Sequence, residues 1–156
     1  MDPATAPVRL RRLPSWLLGQ TALRARRLGN ARLTDAGASR SGYSVLSALE
    51  EVGLMSQIDV GDRCGFDRSD MVAILKDLEA RRVVARRSDP TDGRRNLVSI
   101  TGAGRRQLRR LDMVVASIQD ELLAPLSKAE RRELTRLLQR VLDHYRPTDD
   151  ASITPD

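Results

Sequence analysis

The stretch SQIDVGDRCGFDRSDMVAILKDLEARRVVARRSDPTDGRRNLVSIT, residues 56–101, decides the fold. Its first ten residues read as a helix of about two turns that starts near Ser56 and stops at Gly65, a residue type that ends helices without steric cost. Asp67 then opens a second helix, with Asp70 three positions on in a box-like relation and Met71, Ile74, Leu75 and Leu78 repeating at helical spacing. After Arg82 the period shortens. VVARRS and NLVSI are β-compatible, and DPTDGRR between them carries Pro and Gly, so the pair reads as a hairpin with a long tip.

On the N-terminal side, Val45, Leu46, Leu49 and Val52 form one helical face that Gly53 closes. Earlier still, Trp16, Leu17, Leu28 and Leu33 mark a helix over residues 15–33 with Ser15 as candidate N-cap, preceded by an irregular, proline-bearing arm over 1–14. On the C-terminal side, Thr101 caps a long helix that carries Leu108, Leu111, Val115, Ile118 and Leu122 and stops before Pro125. Ser127 and Glu130 form a capping box for a last helix running to Tyr145, and the acidic tail 147–156 is expected to be disordered. The fold class is therefore mainly α with a small β-hairpin wing, a winged helix-turn-helix. One domain is expected over 15–146, with a core at about 41–100 flanked by the long helical regions 15–33 and 102–146.

In this layout the two-turn helix braces the next one, so that the N-terminal half of the latter can enter a major groove about 12 Å wide. Its outward positions are Arg68, Ser69, Asp70, Val72, Ala73 and Lys76, and the candidate base-reading set is Arg68, Ser69, Asp70, Ala73 and Lys76. Residues 81–110 hold ten arginines and only Asp89 and Asp92 as acids, a net of +8 next to that helix. Such a hairpin suits phosphate and minor-groove contact. Ser56, Gln57 and Arg87 are the candidate phosphate contacts. A second basic cluster at Arg9, Arg11, Arg12, Arg24, Arg26, Arg27 and Arg32 has no evident role.

Composition narrows the partners. The chain of 156 residues has a formal net charge of +6, and with one Phe, one Trp and two Tyr it lacks the aromatic platforms of single-strand RNA binders. Its single cysteine, Cys64, excludes an intrachain disulfide and fits a reducing compartment, so a cytoplasmic location is expected; the bland reading of Cys64 is a buried small apolar residue. With His144 the only histidine, neither a His-dependent triad nor a multi-histidine metal site can form in one chain. No catalytic residue, cofactor or metal is assigned, and no membrane association is expected.

The stretch from Ser56 to Leu108 resembles the winged-helix region of the MarR family of bacterial regulators, and the likeness runs element by element over about 15–146. The wing DPTDGRRNLVSIT carries the most specific part of it: an Asp-Pro opening, an Asp and an Arg two residues later, and a closing Ile-Thr. By that resemblance Arg94 takes the place of the family's minor-groove arginine and Asp92 that of its wing-tip partner, with Arg95 beside them. The resemblance also implies a homodimer formed through the helices at about 15–33 and 102–146, bound to double-stranded DNA at a pseudo-palindromic operator, repression relieved by a small-molecule effector, and a pocket between the dimerisation and DNA-binding parts. Trp16 is the candidate wall of that pocket. Ala73 departs from the family, which often has a polar side chain there, and no cysteine lies in residues 15–33 where peroxide-sensing members carry theirs. The competing reading is a basic protein-interaction or RNA-binding module without operator specificity.

Overall fold

The computed structural model describes residues 5–91 and 95–145. Asp92 and Arg94 of the wing, and the tail from 147 on, lie outside the described residues. The elements run α1 (Val8–Arg11), α2 (Pro14–Asp35), α3 (Arg40–Val52), β1 (Met55–Ser56), α4 (Gln57–Cys64), α5 (Arg68–Ala80), β2 (Val84–Ser88), β3 (Asn96–Ile100), α6 (Gly102–Leu122) and α7 (Lys128–His144). The chain divides into two compact units, residues 1–122 and 123–156.

In the first unit the core gathers Val45, Leu46 and Leu49 of α3 with Val60 of α4, and Met71, Leu75 and Leu78 of α5 with Val98 and Ile100 of β3. A smaller cluster joins Leu33 of α2 to Leu111 and Ile118 of α6. α3, α4, α5 and α6 begin where a side chain can accept an orphan amide: Ser39 accepts from Gly42 N (3.0 Å), Ser56 from Asp59 N (3.1 Å), Asp67 from Asp70 N (2.8 Å) and Thr101 from Gly104 N (3.0 Å). Gly65 ends α4 in the left-handed conformation with φ 70°. In the second unit Ser127 and Glu130 complete the capping box of α7.

Three details correct the reading from sequence. The arm is not wholly irregular, because Val8–Arg11 form one helical turn. Ser15 is not a cap: α2 starts at Pro14, whose fixed φ and missing N–H suit a first helical position, and Leu13 precedes it with no side-chain hydrogen bond. The sheet has three strands rather than two, in the antiparallel order β1-β3-β2, since Met55 and Ser56 pair with Val98 and Leu97. Two residues carry no period, and their pairing depends on where β3 lies.

Candidate nucleic-acid interface

Helix α5 presents the surface expected of it. Met71, Leu75 and Leu78 are buried, while Arg68, Ser69, Asp70, Val72, Ala73 and Lys76 are all exposed. Its N-terminus is tightly organised, because one carboxylate oxygen of Asp67 accepts both from Asp70 N and from the Ser69 hydroxyl at 2.7 Å. Those two bonds, the backbone one first, hold the Asp67 carboxyl below its ordinary range. The carboxylate of Asp70 and the cations of Arg68 and Lys76 have no intramolecular partner among the described residues.

Between α4, α5 and β3 lies a cleft of ≈ 300 Å³ whose lining includes Gln57, Arg68 and Arg95. The structure thus brings brace helix, recognition helix and wing base to one concave surface with two guanidinium groups on it. Arg95 stands 3.8 Å from Asp59, an acid of α4 that also accepts from the Ser56 hydroxyl at 2.6 Å. Ser56 itself is 3 % exposed, so its hydroxyl serves as the cap of α4 and is not presented outward. Gln57 is half-buried, and Arg87 is exposed on β2 without a partner among the described residues. Trp16 is half-buried in the first turn of α2, away from this surface in the chain and outside the lining of this cleft.

The local charge is more structural than the count of arginines suggests. Arg86 pairs with Glu79 and ties β2 to α5, Arg81 bonds Asp77 and the Gly37 carbonyl, Arg105 bonds Glu50 at 2.9 Å, and Arg110 bonds the Ala36 carbonyl. Sequence reasoning missed Asp59 as the partner of Arg95. An acid in the first turn of the brace helix was the only signal available. Cys64 is half-buried, not buried, and lines a cleft with Arg26 and Arg40; burial pushes its thiol up and Arg63 opposes this in part.

A two-turn brace, an exposed-faced helix after it and an antiparallel hairpin define a winged helix-turn-helix protein with a DNA-binding type of face. The family described as MarR matches residues 36–95, the whole of that module up to the wing. The uncharacterised HTH-type transcriptional regulator YdgJ of Bacillus subtilis is 32% identical over 105 residues, which cover 67% of this chain and 64% of that protein. The match therefore spans less than two thirds of that relative. A probable transcriptional regulator from Pseudomonas aeruginosa has a similar structure, with TM-score 0.74 and 30% identity over 85% of this chain and 98% of that one. The PcaV transcriptional regulator of Streptomyces coelicolor, solved in complex with its natural ligand, gives TM-score 0.73 and 32% identity over 89% and 98%. The chain belongs to the MarR family of winged-helix regulators. No helix among the described residues is long and apolar enough to cross a membrane.

Proposed function

We propose that the protein is a cytoplasmic transcriptional repressor that binds a pseudo-palindromic operator as a homodimer and is released by a small-molecule effector. The observation that carries this reading is the outer face of α5, which has no packing partner among the described residues and stands beside the Arg68 and Arg95 cleft. Arg68, Ser69, Asp70, Ala73 and Lys76 face the bases, and Gln57, Arg87 and Arg95 meet phosphates. Arg94 enters the minor groove with Asp92 at the wing tip, as the family resemblance implies. The effector part draws on PcaV, which was solved with a ligand, and on Trp16 as a wall of the site.

A mobility-shift titration with the DNA flanking the protein's own gene tests this reading. Specific binding should survive excess competitor DNA and weaken steeply with salt. Arg94→Ala should lower affinity for all duplexes alike and reduce the slope of log affinity against log salt by about 2, one phosphate-type contact from each subunit. Unchanged affinity and slope in a folded dimer would remove the wing from the interface. Binding no tighter than to competitor DNA would sink the operator reading.

A further inference from the structure

Helix α5 turns an outer face to solvent. By helical spacing Ser69, Val72, Ala73 and Lys76 share one face, opposite Met71, Leu75 and Leu78. At its N-terminal end the Ser69 hydroxyl donates its proton to Asp67, so that side chain keeps lone pairs but has no proton to offer a base. Arg68 lines the cleft to one side. The centre of the face is left to two apolar residues, and Val72 is 48% exposed. Val is a poorer helix former than Ala and this one packs into neither core cluster, so neither helix propensity nor packing accounts for it.

Only one base edge in the major groove is apolar, the C5-methyl group of thymine. We propose that Val72 and Ala73 are specificity-determining residues that read this methyl, with Ala73 small enough to let the helix backbone approach the base edges. The inference rests on the reading that α5 enters the major groove. It accounts for the lack of a bidentate Asn, Gln or Arg at the middle of the helix: discrimination there comes from apolar burial and shape. Lys76, one turn further on, then supplies the first hydrogen-bond donor of the central face.

The test uses the full chain and duplexes enriched by it from a random pool. Each thymine of the enriched duplex is replaced by deoxyuridine in both half-sites, which removes the methyl and leaves pairing intact, and affinity is measured at constant salt. One symmetric replacement should weaken wild-type binding about 3.7-fold per half-site, about 14-fold in all, the equivalent of one buried methyl group in each. Val72→Ala should bind the thymine duplex more weakly and lose most of the deoxyuridine penalty, and Ala73→Ser should lose part of it. Both variants sit at exposed helix positions, and circular dichroism verifies their fold. The proposal is overturned if no thymine replacement changes wild-type affinity by more than twofold, or if both variants keep the full penalty. A pool that yields no enriched duplex overturns the operator reading, and this proposal with it.

Discussion

Asp67 shows how one side chain can organise the N-terminus of a helix. Its carboxylate closes the first turn of α5 by accepting from Asp70 N and Ser69 Oγ, and both bonds favour the charged form. Because the folded value is depressed, the cap's contribution is fully present above the ordinary carboxylate range and is lost as pH falls through the lowered folded value. Asp67→Asn keeps an acceptor without the titration. Between about pH 5 and 2 the wild type should therefore lose more thermal stability than the Asn variant, as followed by circular dichroism. Parallel acid limbs in the two proteins would show that the cap does not depend on charge. The sequence named Asp67 as a cap because of its place before the periodic residues; that Ser69 is drawn into the same cap became visible only in three dimensions.

At the scale of elements, the junction of wing and α6 depends on contact that no periodicity records. The Thr101 hydroxyl accepts from Gly104 N and shares its one proton between the carbonyls of Arg82 and Val83, joining the start of α6 to the turn that follows α5. A Cβ on Gly104 would stand 2.1 Å from the Val83 carbonyl oxygen and 2.7 Å from Ile100. Helix propensity alone makes Gly104→Ala stabilising by about 1 kcal/mol. Overpacking against rigid backbone costs about 1–3 kcal/mol and more where nothing can yield, so the clash wins. Gly104→Ala should lower stability by about 2 kcal/mol in urea denaturation; an unchanged or higher midpoint would refute the close approach. No residue adjacent to Gly104 in sequence marks this close approach, because the atoms it meets belong to Val83 and Ile100.

For the whole molecule, the proposed homodimer is tested through the apolar side chains of α7. Within its own unit α7 carries Leu137, Leu138, Val141 and Leu142 at helical spacing, 43%, 36%, 50% and 68% exposed, an apolar stripe of the kind a dimer interface uses. Sedimentation should give a dimer mass across micromolar concentrations, and Leu138→Glu with Leu142→Glu should shift it to monomer and abolish tight operator binding. A monomer mass for the wild type, independent of concentration, would count against the symmetric assembly. On operator DNA, five extra base pairs between the half-sites should abolish tight binding by turning one site to the opposite face.

Local signals were enough to find most elements of this chain. Caps at Ser56, Asp67 and Ser127, the stop at Gly65 and the change of period after Arg82 are written in adjacent residues, so α4, α5, the hairpin and α7 were legible without a structure. The exposed set on α5 followed from the same periodicity, because burial of Met71, Leu75 and Leu78 leaves the other positions outside. Tertiary structure alone decided what needs a distant partner. β1 exists because β3 lies beside it, Arg86 and Arg105 are held by Glu79 and Glu50, and Arg95 is set against Asp59. Hydrogen-bond periodicity is a property of neighbours in sequence, whereas strand pairing and ion pairing are properties of neighbours in space, and only the folded chain specifies those.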